Sequence, residues 1–172
     1  MAHTIIKPAI RIFVSSVHKE FCDERRSIRE FIENDPLLKQ FFEVFLFEEL
    51  PAGDQRTDQG YLDEVGQCTI YLGIFGEHYG PEDAEGLSST EREFDFATQQ
   101  CKYRLIFVKV GDDSGQHAKM YALVRKSAGL VVQRHFTDLS DLKSQISVAL
   151  AEYLRESGIL TADQIREKTT AG

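Results

Sequence analysis

The sequence is poor in cysteine. Of its 172 residues, three are cysteines, namely Cys22, Cys68 and Cys101. They are odd in number and widely spaced, which excludes a disulfide framework and a zinc site built from cysteines. The histidines also lack metal-ligand spacing. We therefore expect reduced thiols, no metal site and no required cofactor.

Basic side chains are also scarce. Lys and Arg number 20 against 28 Asp and Glu, so the net charge is −8. A chain of this charge repels nucleic acid unless its basic residues cluster, and the sequence shows no such cluster. We therefore expect no direct nucleic-acid partner.

Long apolar stretches are missing as well. No run approaches the ~18 apolar residues that a membrane span requires. The N-terminal residues lack the charged start, apolar run and small-residue cleavage site of a secretion signal. The sequence thus predicts a cytoplasmic protein with no membrane partner.

What the sequence does contain is an alternation of short apolar runs with amphipathic segments. The runs lie at 10–14, 42–47, 69–75, 105–110 and 130–132, and the helices after the first are expected at 58–67, 88–101, 116–126 and 139–157. This alternation is typical of a parallel sheet covered by helices on both faces. Right-handed crossovers favour an α/β, flavodoxin-like, doubly wound sheet of five parallel strands in the order 2-1-3-4-5. We expect one domain over 1–158 and a polar tail or linker over 159–172.

The predicted sheet places a ligand crevice at the carboxyl ends of strands one and three. Ser15 and Ser16 lie there, directly before a helix whose N-terminal N–H groups favour an anion. In the alternative interpretation, Ser16 only caps this helix. A cap and a ligand contact can share one turn.

The connection after strand three, GIFGEHYGPEDAEGLSS at 73–89, exceeds the roughly two to six residues usual for such a loop. It is therefore either functional or disordered. Gly76 allows a ligand to approach the backbone closely, and Tyr79 can stack on a base, or alternatively only pin the loop. Because the glycines match neither the dinucleotide fingerprint nor the phosphate-binding loop, ATP hydrolysis is disfavoured.

A glutamate lies inside the apolar arc of the helix that follows this loop. At ~100° per residue, Glu93 falls between Phe96 and Ala97. Glu91 has a structural role, since it completes a capping box with Ser88. A carboxylate turned toward a core needs a partner or a function, so Glu93 either pairs with a neighbouring donor or contacts a ligand in the crevice.

A similar oddity occurs in the first helix. Glu24 falls on the apolar side, between Ile28 and Phe31, and Arg25 lies at its edge. We interpret Glu24 as a structural carboxylate that is hydrogen-bonded or paired with an arginine, because buried charges must be paired. Arg56, after strand two, is a candidate for binding an anion or this carboxylate.

Three motifs together resemble a known family. RIFVSSVHKEFCDERRSIREFI at 11–32, YLDEVGQCTIYLGIFGEHYG at 61–80 and LSSTEREFDFA at 87–97 are similar to the bacterial domain of unknown function family 4062. That family is similar in turn to TIR domains and nucleoside deoxyribosyltransferases. The resemblance implies a flavodoxin-like fold that binds a nucleotide or nucleoside at the crevice.

The transferase pattern carries over to four positions, Ser89, Thr90, Glu93 and Ala97. It implies that Glu93 is the nucleophile or ribose-binding carboxylate and that Thr90 contributes to the site. At two positions the transferase pattern has a glycine and this sequence has another residue, namely Ser89 and Asp95. Ser15 and Ser16 would correspond to the strand-one serines of TIR domains.

Two functions follow as expectations. The first is a TIR-like, nucleotide-binding domain in a bacterial signalling or defence protein, which cleaves the N-glycosidic bond of NAD or a nucleoside. The second is a non-catalytic signalling module that self-associates or docks onto a fused effector domain. An accessible pocket at Glu93 would favour the first, and a Glu93 carboxyl fully engaged by internal partners would favour the second.

Overall fold

We describe the protein from a computed structural model, which covers residues 10–49, 57–111 and 113–170. The strands are β1 (Ile10–Ser16), β2 (Phe42–Phe45), β3 (Ile70–Phe75), β4 (Tyr103–Lys109) and β5 (Gln133–Phe136). The helices are α1 (His18–Asn34), α2 (Thr57–Gln67), α3 (Ser89–Gln99), α4 (Ala118–Ala128), α5 (Leu139–Glu156) and α6 (Ala162–Thr170). Short 3-10 turns lie at Leu38–Gln40, Phe47–Glu49 and Asp113–Gly115.

The five strands form one parallel sheet in the order β2-β1-β3-β4-β5. This confirms the predicted flavodoxin-like topology. In the register between β1 and β3, Ser15 lies opposite Gly73 and Ser16 opposite Ile74. The carboxyl ends of these two strands therefore meet at one edge of the sheet.

Each face of the sheet carries its own apolar core, because alternate strand residues point to opposite sides. On one face, Ile12 and Val14 lie in the cluster that also contains residues of α1 and α5. On the other face, Phe13 and Tyr71 lie in the cluster that contains residues of α2, α3 and α4. Every residue of β3 is buried, as expected for a central strand covered on both faces.

Two sequence predictions differ from the structure. The fifth strand lies at 133–136 rather than 130–132, and Leu130 and Val132 are 50% and 80% exposed. An edge strand needs few apolar residues, so an apolar run does not mark it. Part of the segment predicted as a polar tail, residues 162–170, forms α6, and Leu160 is buried in the core because it packs with the end of α5.

Within the described ranges, none of the helices combines the length and the apolar composition that crossing a bilayer would need.

Candidate functional site

A cleft of about 360 Å³ opens at the carboxyl ends of β1 and β3. Ser16 at the end of β1 and His18 at the start of α1 form one wall, and Thr90 and Glu93 of α3 form another. The turn Phe47–Glu49 and the loop before α3 complete the lining. This is the position that the strand order predicts for a ligand crevice.

The start of α3 sets the direction of Glu93. Ser88 is the N-cap, and its hydroxyl accepts the N–H of Glu91 at 3.3 Å, which satisfies one free donor of the first turn. Glu93 then follows on the face that also buries Phe94 and Ala97. It is 8% exposed, so the carboxyl group lies inside the protein at the edge of the cleft, as its position in the helical arc predicts.

Ser15 holds this carboxyl group. Its hydroxyl, fully buried at the end of β1, donates a short hydrogen bond to Oε2 of Glu93. Tyr71 lies on β3 below them, and its ring stacks on Phe13 at a centroid distance of 6.5 Å. The Tyr71 hydroxyl is buried and forms no hydrogen bond of ordinary geometry among the described residues, although the neighbouring Ser15 hydroxyl acts to lower its pKa.

Burial decides the protonation of both groups. Burial raises the pKa of Glu93 to about 7, although the Ser15 hydrogen bond and the charge of Arg25 act in the opposite direction. Burial also raises the pKa of Tyr71 well above its usual value, and the neighbouring Glu93 adds to this effect. Near neutral pH, Glu93 is therefore poised between its acid and its carboxylate forms.

A buried arginine forms the second polar cluster of the cleft. Arg25 is 4% exposed, and its Nε and Nη2 donate to the two oxygens of Glu48 at 2.8 and 2.6 Å. Its Nη1 donates to the carbonyl of Val14 at 3.0 Å and to Oγ of Ser16 at 3.1 Å. Burial raises the pKa of Glu48, but the hydrogen bond and charge of Arg25 outweigh it and keep that pKa below its usual value.

The sequence placed Arg25 only at the edge of the apolar side of α1 and predicted a buried carboxylate at Glu24, whereas Arg25 is buried and Glu24 is only partly buried. The pairing of Arg25 with Glu48 was not predicted. A usable signal was present, since Phe21, Arg25, Ile28 and Ile32 are the buried stripe of α1 at spacings of four and three. The helix also departs from helical geometry at Phe21, with φ −124° and ψ 25°. This shifts the phase of the turns that follow.

The remaining predicted residues fall into different places. Ser16 and Thr90 line the cleft, but Ser16 accepts from Arg25 and the N-cap of α1 is Val17. Tyr79 also lines the cleft, yet it is 2% exposed and its hydroxyl donates to Glu91.

Gly76 does not line the cleft. A Cβ there would overlap the Glu20 carboxylate and lie 2.7 Å from the Phe21 ring. A glycine at this position therefore permits close packing against α1, and ligand contact by Gly76 stays a prediction of the sequence. Arg56 lies outside the described residues.

The family is shown by a sequence comparison. The family model of DUF4062, a domain of unknown function, matches residues 11–151 of this chain. The chain belongs to the DUF4062 family. Among solved structures, the DUF4062 chain is similar to the CMP N-glycosidase BcmB of Clostridium botulinum, with a TM-score of 0.50 and 11% identity. The match covers 81% of this chain and 98% of that one, and it shows a shared fold. A search of curated proteins gives no significant match.

A second cleft of about 610 Å³ adjoins the first in the DUF4062 domain. Both are lined by Phe47, Pro81, Ser89 and Glu93, so Glu93 lies at their junction. The loop before α3 forms the outer wall. Arg92 pairs with Asp83 and with Glu85 there, which makes this long loop an ordered part of the site.

Within 10–49, 57–111 and 113–170, no group of His, Cys, Asp or Glu side chains is arranged to hold a metal ion. The chemistry that the described residues of this DUF4062 domain can supply is therefore that of a poised carboxyl group, hydroxyls and an ion pair. Such a set can stabilise positive charge and orient a sugar.

Proposed function

We propose that this domain cleaves the N-glycosidic bond of a nucleoside or nucleotide and that Glu93 is the catalytic carboxylate. The observation that carries the proposal is the position of Glu93, which is buried, hydrogen-bonded by Ser15 and placed at the junction of two clefts. One carboxyl oxygen is bound by Ser15, and the residue still lines both clefts. An accessible pocket at Glu93 favours an enzyme over a purely structural carboxylate.

The chemistry requires a negative charge near the anomeric carbon. As the bond between C1′ and the base nitrogen breaks, its electron pair leaves with the base and positive charge develops on the sugar ring. The Glu93 carboxylate, in a site largely removed from water, stabilises that charge. Water then adds at C1′ and loses one proton, which goes to a base that leaves as an anion, such as cytosine, or to solvent when the base leaves as neutral nicotinamide. The products are the free base and the sugar.

The lining of the first cleft suits a flat base next to a polar sugar. Phe13, Val17 and Phe47 present apolar surface, and Ser16 and Thr90 present hydroxyl groups. Support also comes from the fold, since the similar structure of BcmB is that of a CMP N-glycosidase. NAD as the substrate, a TIR-like signalling or defence context and self-association stay predictions of the sequence.

The proposal is tested by incubating the protein with NAD, CMP, cytidine, inosine and their deoxy forms, and separating released base by chromatography. We expect base release from at least one substrate and a loss of about 10²–10³-fold or more in Glu93→Gln. Asp95→Asn is the matched control, because Asp95 lies on the same helix and pairs with Lys126 outside the clefts. Release that is equal in wild type and Glu93→Gln contradicts the proposal.

The pH dependence gives a further prediction for the same residue. Since the carboxylate form stabilises the transition state, kcat/KM should rise with pH and level off above about 7, the pKa to which burial raises Glu93. The measurement is kcat/KM from pH 5 to 9. Activity that falls above pH 7 would instead assign Glu93 the role of a general acid.

A further inference from the structure

The charges around the two clefts restrict which ligand the site accepts. We infer that the site takes a nucleoside without a phosphate group, with a base that is neutral or cationic. This inference rests on the proposed function and adds the substrate class.

Acidic groups outnumber basic ones around the ligand space. The lining residues of the two clefts carry two guanidinium groups, on Arg25 and Arg92, against four carboxylates and the partly ionised carboxyl group of Glu93. The four carboxylates belong to Glu48, Glu82, Asp83 and Glu85. The net charge of the whole chain, −8, has the same sign. An anionic ligand therefore meets an unfavourable field both on approach and in the site.

Each of the two arginines already has carboxylate partners. Both oxygens of Glu48 accept from Arg25, and the third donor group of Arg25, Nη1, is used by the Val14 carbonyl and Ser16. Arg92 bonds to Asp83 and to Glu85. Within the described part of the chain, the clefts thus hold no arginine that could bind a phosphate without first breaking an ion pair.

Nearby lysine and histidine side chains do not change this balance. Lys119, which adjoins the loop, donates to Glu82 at 2.5 Å and to the Gly86 carbonyl at 2.7 Å. His18 lines the first cleft with its Nε2 3.8 Å from Glu48. The N-terminal dipoles of α1 and α3 both favour an anion, but Glu20 in the first turn of α1 and Glu91 in the first turn of α3 offset that effect.

The same field suits the reaction. A surplus of carboxylates stabilises the positive charge that develops on the sugar ring as the glycosidic bond breaks. A phosphate brought into this space would lose water without gaining a cation, which is costly. Sites that bind phosphate esters usually supply arginine, lysine or free N–H groups for it.

Two matched substrate pairs test the inference. We would measure kcat/KM for nicotinamide riboside against nicotinamide mononucleotide, and for cytidine against CMP. At low salt we expect each nucleoside to exceed its monophosphate by about tenfold or more. The ratio should shrink toward one at high salt, because the Debye length falls from about 30 Å at 0.01 M to about 3 Å at 1 M.

A charge variant with a matched control links the preference to the clefts. Glu85 lines the second cleft. At low salt, Glu85→Gln should lower the ratio of kcat/KM for the nucleoside to kcat/KM for its monophosphate about threefold, since one repulsive charge is removed. Glu30→Gln makes the same change in net charge on the exposed side of α1 and should leave the ratio unchanged.

Faster turnover of the monophosphates, or a ratio that does not respond to salt, would overturn the inference. Calorimetric binding to Glu93→Gln separates the two proposals. Nucleosides that bind more tightly than monophosphates, without base release by the wild type, would defeat the proposed function and keep this inference, whereas binding of neither class defeats both.

Discussion

The buried carboxyl group of Glu93 makes the free energy of unfolding depend on pH. Its pKa is raised by burial from 4.5 to about 7, so the folded protein binds this proton more tightly than the unfolded chain does. The wild type therefore loses stability from this group as pH rises from about 4.5 to 7, and the loss is complete above that range. Glutamine resembles the protonated acid and does not titrate.

We therefore expect Glu93→Gln to gain stability relative to the wild type by up to about 3 kcal/mol between pH 5 and pH 8, at 1.36 kcal/mol per pKa unit. Urea unfolding at both pH values measures this difference. Glu30→Gln serves as the control, because Glu30 is exposed. A difference between Glu93→Gln and wild type that is the same at both pH values would contradict the pKa of Glu93.

Tyr71 is the other unusual single residue, because its buried hydroxyl forms no hydrogen bond of ordinary geometry among the described residues, although the Ser15 hydroxyl lies close enough to act on its pKa. A buried polar group without a partner costs about 1–3 kcal/mol. Tyr71→Phe keeps the ring contacts with Phe13 and Phe94 and removes that group. We expect it to unfold at equal or higher urea concentration, with a gain of about 1 kcal/mol.

Tyr71→Leu should lose stability, since it also removes the aromatic contacts. A loss above about 1 kcal/mol in Tyr71→Phe would show that the hydroxyl forms a hydrogen bond after all.

Glu93 could be found from the sequence because one helix is enough to show that a carboxylate lies inside its apolar arc. Sequence reasoning placed Arg25 at the edge of the apolar side of the first helix but did not reach its partner Glu48, nor Tyr71. The partner of Arg25 lies 23 residues away on the turn after β2, and the burial of Tyr71 beside Ser15 depends on strand pairing. Periodicity reports which face of an element is buried, but not which residues of other elements lie opposite.

Among the elements, the loop between β3 and α3 is positioned by one close contact. The Glu20 carboxylate of α1 accepts the N–H groups of Glu77 and His78 at 2.7 and 3.1 Å. It reaches them because residue 76 is glycine, and a Cβ at that position would overlap the carboxylate. Gly76 thus ties the loop to α1.

Gly76→Ala should therefore destabilise the protein by about 1–3 kcal/mol, the usual cost of forcing extra volume into a packed site. Gly66→Ala is the matched control. Gly66 lies inside α2, and its added Cβ would meet the Phe96 ring at an ordinary 3.6 Å, so alanine should stabilise the helix by roughly 0.5–1 kcal/mol. Thermal unfolding of both variants measures these effects. Equal changes in Tm for the two variants would rule out the role of Gly76 in tying the loop to α1.

Elements with strong apolar patterns could be predicted from the sequence, including the edge strand β2, but the edge strand β5 could not. The central strands are apolar because both of their faces are covered, so β1, β3 and β4 fall close to their predicted positions. β5 contains one buried residue, Phe136, at the sheet edge. The apolar run before it marks exposed residues, which is why the prediction was three residues early.

At the scale of the whole molecule, the core extends past α5. Leu160 is 8% exposed and belongs to the same cluster as Leu154. Leu160→Ala should cost about 2–4 kcal/mol, whereas Ile159→Ala should cost about 0.5 kcal/mol or less, because Ile159 is 41% exposed. Equal unfolding midpoints for these two variants would show that the chain after α5 does not contribute to the fold.

The topology could be predicted because few chain paths are compatible with five strand–helix units and right-handed crossovers. The ligand could not be predicted from the sequence in the same way, because ligand choice depends on which charges face each other across the cleft. Those pairings join residues from α1, the turn after β2 and the loop before α3.

The hydrogen bond from Ser15 to Glu93 joins residues that are 78 positions apart. During synthesis, the first strand and first helix are therefore made long before the glutamate that their serine will hold. No N-terminal fragment that stops before α3 can assemble the pocket, whatever structure it forms by itself. Any small molecule that occupies this pocket would consequently bind only chains that extend past α3.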